Sequence, residues 1–219
     1  MAVAPESIDA PYQIICEGRD DVEFFLRLLR DRNIAGYNVG FPKGADGRPL
    51  GKDRFDERID QILAFATVPI RGIIVVADSD DDPAGRFADA CEHFRGKVLP
   101  IPKAAMQERK SGTSGTPKTA VIMIPAHGVE GGLETLVLSC CAEVEEFREC
   151  INSFCLCVDT PRSILERDKL RLRALIAALN PKDPSASISN LLSTARRPFP
   201  MTHTALDGIA QFLIHFAAP

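Results

Sequence analysis

The sequence lacks several features that mark whole classes of protein. It has no apolar run of about 18 residues, the length a helix needs to cross a membrane. Its first residues include Glu6 and Asp9 and no basic segment before a long apolar one, so we expect no signal peptide. The formal net charge of −4 excludes binding to nucleic acid through bulk positive charge, but not through a local basic groove.

Cysteine is present, but not in the spacing of a zinc site. The chain has seven cysteines, an odd number, and no CxxC pair. Several of them lie in apolar runs, as free buried thiols commonly do. We therefore expect core packing rather than zinc binding or disulfides, and a reducing, cytoplasmic location.

The apolar pattern predicts alternating strands and helices up to about residue 141. Strand signals occur at residues 12–16, 70–77 and 121–124, with weaker ones at 37–41, 98–102 and 154–158, and amphipathic helical stretches lie between the stronger ones. Such alternation predicts an α/β fold with a mostly parallel sheet and helices on both faces. We expect residues 1–141 to form this domain and residues 142–219 to form a helical appendage packed on it.

Charge is unevenly distributed along the chain. Acidic residues crowd residues 78–92, whereas basic residues crowd residues 95–118 and 162–197. This pattern suits a metal site beside a phosphate-binding surface. For the second basic stretch, a solvated helix face is the simpler interpretation.

Acidic residues also follow the predicted strands. Glu17 follows the first strand, Asp78 follows the central one, and residues 127–134 follow the last. In an open parallel sheet, ligands bind beyond the carboxyl ends of the strands, so these segments should meet there. The sequence therefore predicts a functional site at this edge.

The segment Asp78-Ser-Asp80-Asp-Asp82 concentrates negative charge at one of these strand ends. Alternate residues of an extended chain point the same way, so we expect the carboxylates of Asp78, Asp80 and Asp82 to converge. Crowded carboxylates without a His or Cys cluster favour Mg²⁺ or Mn²⁺. The alternative is an acidic turn that caps the helix beginning near Pro83.

These motifs carry a family resemblance. The run Ile14-Ile-Cys-Glu17-Gly18-Arg-Asp-Asp21, followed later by Ile-Val-Val-Ala-Asp78-Ser-Asp80, resembles the Toprim domain of topoisomerases, primases, recombination mediators and overcoming-lysogenization-defect nucleases. The resemblance covers residues 12–139. It is closest to small stand-alone Toprim-like proteins, which share a stretch similar to Gly131-Gly-Leu-Glu134.

The resemblance implies a metal-dependent nuclease that hydrolyses phosphodiesters in DNA or RNA. Glu17 would be a metal ligand or general acid/base, and Asp78 and Asp80 would hold Mg²⁺ or Mn²⁺. Asp21 would support a second metal and Glu134 would be a further ligand, with Asp82 a weaker candidate. By loop position, the expected phosphate contacts are Lys103, Lys118 and His127.

Two other functions remain open. The chain has only two tyrosines, both in predicted strands, and no zinc module, so neither a topoisomerase nor a primase is expected. A non-catalytic module that binds metal and nucleic acid or a protein partner is the main alternative. The Asp78-Ser-Asp80 run also resembles the first motif of haloacid-dehalogenase-type phosphatases, which is a less favoured possibility.

The segment Gly112-Thr-Ser-Gly-Thr-Pro117-Lys118-Thr119 nearly spells a phosphate-binding P-loop. Pro117 replaces the second glycine, and the segment precedes a strand instead of opening a helix. We therefore expect no ATP site in this chain. If the protein works like the overcoming-lysogenization-defect systems, a separate ATPase partner would be needed. The oligomeric state is left open.

Overall fold

Four strands form one parallel sheet in the described part of the chain. The computed structural model describes residues 8–44, 47–48, 50–141, 145–158, 163–180, 182–189 and 200–218. The strands are β1 (Tyr12–Ile15), β2 (Tyr37–Gly40), β3 (Gly72–Asp78) and β4 (Lys118–Ile124), in the order β2-β1-β3-β4. All three neighbouring pairs are parallel, which confirms the expected sheet.

Helices connect these strands and continue after the last one. Across the described residues the α-helices are α1 (Arg19–Asp31), α2 (Phe55–Phe65), α3 (Pro83–Arg95), α4 (Leu133–Ser139), α5 (Glu145–Cys157), α6 (Ile164–Leu179) and α7 (Asp207–Ala217). Short 3₁₀ turns at Lys52–Arg54 and Thr204–Leu206 lead into α2 and α7. None of these helices is both long enough and apolar enough to cross a lipid bilayer.

Both faces of the sheet are buried, because alternate residues of β3 enter two different apolar clusters. Ile74 and Val76 join the cluster that contains side chains of α1, α4, α6 and α7. Ile73 and Val75 join the cluster formed with α2 and α3. A strand buried on both faces reads as a continuous apolar run, which is why this strand gave a strong sequence signal. Helices on both faces are thus confirmed.

The helices after residue 142 pack into the same core as the sheet. Leu172 and Ile176 of α6 and Leu213 of α7 belong to the cluster that holds Ile74. The Tyr37 hydroxyl donates to the Leu213 carbonyl oxygen at 2.6 Å, which ties α7 to β2. The helical C-terminal region is therefore confirmed, whereas the division at residues 141 and 142 stays a prediction.

Two weaker strand predictions were wrong. Val98 lies in the turn after α3 with φ +57° and is 92% exposed, so residues 98–102 form no strand. The apolar run from Phe154 belongs to α5, which ends at Cys157. A short apolar run fits a strand or a helix equally well, so periodicity alone could not separate them.

Gly72 offers a test of where α7 lies. A Cβ at Gly72 would lie 2.5 Å from Cε1 of Phe216, a buried side chain of α7. We expect Gly72→Ala to lower the free energy of unfolding by about 1–3 kcal/mol, because the buried Phe216 ring would have to shift to admit the new methyl group. The measurement is denaturant unfolding.

Gly208→Ala is the matched control within α7 itself. A Cβ at Gly208 would meet nothing within 4 Å. The unfolding free energy should stay the same or rise by up to about 1 kcal/mol, since alanine favours helix over glycine. Equal losses in both variants would contradict the packing of α7 on β3.

Candidate functional site

Two acidic residues meet where the strand order of the sheet changes direction. From β1 the chain moves outward to β2, and from β3 it moves outward on the other side to β4. Such a switch point opens a crevice beyond the carboxyl ends of the two central strands. Glu17 follows β1 and Asp78 ends β3, and the Asp78 amide donates to Glu17 Oε1 at 3.1 Å.

Two helix starts hold the acids on the α1 and α4 side of this crevice. The Leu133 amide at the start of α4 donates to Asp78 Oδ1 at 3.1 Å. The Gly18 amide donates to Asp21 Oδ2 at 3.0 Å at the start of α1. Gly132 lets the chain approach closely, since a Cβ there would lie 2.8 Å from Asp78 Oδ2. Negative charge is favoured at helix N-termini, which partly offsets the burial of these carboxylates.

Four predicted site residues line one cavity of about 370 Å³, which we call the carboxylate cavity. They are Glu17, Asp21, Asp78 and Glu134. Glu134 is half-buried in the first turn of α4. The structure therefore brings together the acid that follows β1 with acids of α1, β3 and α4, as the strand-end argument predicted.

Asp80 does not extend the strand as the alternation argument expected. Its φ of +49° is left-handed, and its backbone N–H and C=O pair with Gly131 at 2.8 Å each. Asp80 Oδ2 lies 3.1 Å from Lys52 Nζ and 3.1 Å from Arg86 Nε. The chain turns after β3, so alternation does not place Asp80, but its charge is still near enough to Asp78 to help raise the pKa of Asp78.

Arg86 contacts both Glu17, which follows β1, and Asp80, which lies in the turn after β3. Its side chain is 10% exposed, and Nη2 donates to Glu17 Oε1 at 2.6 Å. Its Nε also donates to the Asp78 carbonyl oxygen at 3.2 Å. The guanidinium therefore bridges Glu17 and Asp80. Sequence reasoning missed Arg86 and Lys52 as site residues, although Arg86 is the one base within the acidic residues 78–92.

Burial shifts the ionisation of the acids. It raises the pKa of Asp21 to about 7, with help from the nearby charge of Glu17. Burial likewise raises the pKa of Asp78 well above its usual range, and Asp21 and Glu17 add to the rise. Burial also raises the pKa of Glu17, against the opposing effect of Arg86. At neutral pH the cavity therefore favours bound protons or a bound cation.

The donor set fits a hard divalent cation, but the arrangement does not form a ready ligand cage. Carboxylate oxygens are the ligands that Mg²⁺ and Mn²⁺ take in proteins. Among the described residues, however, no three His, Cys, Asp or Glu side chains are close enough to hold one ion together. Arg86 and Lys52 instead neutralise Glu17 and Asp80.

The remaining predicted acid has a structural role. Asp82 is exposed and caps α3, with its Oδ1 accepting from the Gly85 amide at 3.0 Å. Pro83 occupies the first turn of that helix. This is the capping role considered above as the alternative to metal binding.

The three predicted phosphate contacts lie in different places. Lys118 begins β4, pairs with Gly72, and donates to Glu108 at 2.9 Å, so it lies at the amino edge of the sheet. A strand of this length places it roughly 20 Å from the carboxyl edge, which corrects its assignment to the site. His127 is exposed in the turn after β4, beside the Phe87 ring. Lys103 is exposed and bonds no described residue.

Comparison with known proteins yields one match. Residues 11–213 match the family described as "Protein of unknown function (DUF3226)". The chain belongs to this family. No curated protein and no solved structure matches it. The matched region of this DUF3226 protein contains the whole carboxylate cavity.

The raised pKa of Asp21 predicts how stability depends on pH. A carboxyl group with a pKa raised from about 4 to about 7 stabilises the fold below pH 4, and this contribution is lost as pH rises through 7. We expect Asp21→Asn to make the metal-free DUF3226 protein about 1–3 kcal/mol more stable at pH 8, and to flatten the decline between pH 5 and 8. Urea unfolding across this pH range measures both effects.

Asp31→Asn, also in α1, is the control, because we expect it to change the free energy of unfolding at pH 8 in the opposite direction. Hydrogen bonds from Arg30 and Arg27 hold the pKa of Asp31 below its usual range. Its contribution is present at neutral pH and is lost in acid, so this variant should lose stability at pH 8. If both substitutions shifted stability in the same direction, the burial of Asp21 would not be the cause.

Proposed function

We propose that this protein binds Mg²⁺ or Mn²⁺ in the carboxylate cavity and hydrolyses phosphodiester bonds in DNA or RNA. The observation that carries the proposal is the cluster of Glu17, Asp21 and Asp78 at the switch point of the sheet, with each pKa raised by burial. The resemblance to Toprim nucleases supports the choice of reaction, since the same strand ends carry the acids in both.

Electrostatics favour a divalent cation over protons in this cavity. Several carboxylates that share a small, desolvated space repel one another, and a doubly charged ion relieves that repulsion. Glu17, Asp21, Asp78 and Glu134 would be its ligands, and because no three of them are close enough to hold one ion in the described arrangement, their side chains would have to move together on binding. Asp80 could join them if Lys52 and Arg86 released its carboxylate.

The chain's own groups suit phosphoryl chemistry. A bound divalent ion supplies a polarised phosphoryl oxygen and a water with a lowered pKa. Asp21 Oδ2 accepts from the Gly18 amide, so Oδ1 is the oxygen that would face a bound ion or its water. Arg86 and Lys52 provide positive charge beside the cavity, where negative charge builds up on a phosphoryl group.

A non-catalytic binding module is the second candidate, and one observation favours it. Arg86 and Lys52 already compensate two of the acids. A protein whose own cations balance its acids has less need of a metal ion. The same surface would then serve recognition of nucleic acid or of a protein partner.

Partner and location form a further part of the proposal. The loop of residues 112–117 runs directly into β4, so it does not open a helix as a P-loop does. Any ATP hydrolysis coupled to this activity would therefore come from a separate ATPase. The free thiols of the described cysteines suit a reducing, cytoplasmic compartment.

Substitution at Asp78 tests the proposal directly. We expect wild-type protein to cleave at least one of plasmid, linear, single-stranded DNA or RNA in Mg²⁺ or Mn²⁺. Asp78→Asn should lower turnover about 100-fold or more and weaken metal binding in calorimetry, because it removes a buried ligand charge.

Asp81→Asn is the matched control, since Asp81 is exposed and bonds no described residue. It should retain turnover and metal affinity. Hydrolysis of an aryl phosphate monoester, without nucleic-acid cleavage, would instead indicate a phosphatase. No metal binding and no cleavage of any substrate would favour the binding module.

Substitution at Arg86 separates the two candidates. Arg86→Met leaves Glu17 and Asp80 without their guanidinium, which should cost about 3–5 kcal/mol of stability in EDTA. If the site binds metal, millimolar Mg²⁺ or Mn²⁺ should restore much of this loss and raise Tm more in the variant than in wild type. Thermal unfolding with and without metal measures the difference.

The control is Arg54→Met, which removes an exposed ion pair with Glu57. It should change stability by less than about 1 kcal/mol and leave the response to metal unchanged. If neither Mg²⁺ nor Mn²⁺ changes the Tm of the Arg86 variant, the result would favour a non-catalytic binding module that holds no metal ion.

A further inference from the structure

A second, smaller cavity adjoins the carboxylate cavity on the side of α6. Its volume is about 180 Å³, and its walls share Asp20, Glu134 and Ile188 with the carboxylate cavity. Its remaining wall is one stripe of α6, formed by Lys169, Leu172, Arg173 and Ile176. We call it the α6 cavity. Since a water molecule takes about 30 Å³ in the liquid, it has room for a phosphate group and several waters.

The two cations of this stripe are available for a ligand. Lys169 and Arg173 are four residues apart, so they lie on the same side of α6. Lys169 is exposed and forms no hydrogen bond or ion pair with any described residue. Arg173 is exposed too, and its one such bond is a 3.5 Å contact from Nη1 to the Ala186 carbonyl oxygen.

The neighbouring acids form no direct ion pair with these cations in the described residues. Asp20 Oδ1 accepts from the Ser189 amide at 3.1 Å, and no ion pair within 4.0 Å joins Asp20 or Glu134 to α6 in the described residues. Arg171, in contrast, faces Asp168 on another side of the helix at 3.4 Å. Lys169 and Arg173 therefore differ from the paired charges of a solvated helix face, because they share the α6 cavity with Asp20 and Glu134 without forming an ion pair within 4.0 Å among the described residues.

We propose that Lys169 and Arg173 form a subsite for the phosphate group next to the one held at the carboxylate cavity. The inference rests on the proposed function and deepens it, because it makes the substrate a polynucleotide strand with at least two phosphates. A strand crossing from one cavity to the other would meet the acids and their metal ion first, and the two cations next. A small phosphodiester would reach only the first cavity.

The test is a double variant, Lys169→Gln with Arg173→Gln, measured in two assays. Binding of labelled single-stranded DNA and RNA oligonucleotides is followed by anisotropy in Ca²⁺. Hydrolysis in Mn²⁺ is compared between an oligonucleotide and bis(4-nitrophenyl) phosphate, which carries a single phosphate. The control double variant, Arg167→Gln with Lys182→Gln, removes two exposed cations that line neither cavity.

We expect the Lys169/Arg173 variant to bind the oligonucleotide about 10- to 100-fold more weakly, because two charge-assisted contacts are lost. The slope of log affinity against log salt should shrink by about 1.4, since each phosphate contact contributes about 0.7 for a single strand. kcat/KM on the oligonucleotide should fall equally, mainly through KM, and hydrolysis of the small diester should be unchanged. The control should keep its affinity within about threefold.

Failure of the subsite and failure of the proposed nuclease give different results. If wild type binds the oligonucleotide and cleaves nothing, the nuclease proposal fails, and the loss of affinity in the variant still supports the subsite. Equal affinity and equal salt slope in wild type and variant would overturn the subsite, whether or not cleavage occurs. Absence of oligonucleotide binding by wild type would overturn it too, as would an equal loss in the control.

Discussion

The rest of the site depends on the burial of Glu17 between the two central strands. Its Oε1 accepts from the Asp78 amide and from Arg86, so one carboxylate oxygen joins β1, β3 and α3. Parallel strands end at the same edge, so acids placed after two neighbouring strands are forced together. Removing them from water is costly, and each remaining feature of the site offsets that cost. The starts of α1 and α4 donate amide hydrogen bonds to Asp21 and Asp78, and Arg86 and Lys52 pair with Glu17 and Asp80. The pKa values of Asp21 and Asp78 stay raised because these contacts do not fully offset the burial of the carboxylates.

The pleat of β3 divides this site into two halves. Asp78 follows the alternation of Val76 and so belongs to the face covered by α1, α4 and α6. Asp80 leaves that alternation through its left-handed backbone and meets Lys52 and Arg86. The acids least compensated by protein cations therefore lie on the α6 side. The C-terminal helices consequently do more than cover the sheet, because α6 brings Lys169 and Arg173 to a cavity system that Arg19 also lines.

The sequence was sufficient for the sheet and for the acids that follow it, but not for what surrounds them. Glu17 and Asp78 could be placed because strand ends are visible as the ends of apolar runs. Asp80 could not, since a positive φ on a non-glycine residue is imposed by its pairing with Gly131. Lys118 was expected in a loop near the site because the apolar run of β4 starts only at Val121. In the structure β4 already begins at Lys118, which pairs with Gly72 at the start of β3. The partners Arg86 and Lys52 come from distant segments, whose meeting no local pattern encodes.

Under the proposed function, the charge balance of the two cavities would link metal binding to strand binding. A polyanionic strand would be repelled by the ionised acids of the carboxylate cavity, and attracted by Lys169 and Arg173 and by Arg19, which lines that cavity. A divalent ion would remove much of that repulsion and so raise the affinity for the strand. By thermodynamic reciprocity the strand would raise the affinity for the ion by the same factor. In a site that needs both ligands, Arg86 and Lys52 would stay paired with Glu17 and Asp80 until the strand and the ion bind together. The ion pairs of the unliganded protein are therefore compatible with a metal-dependent reaction.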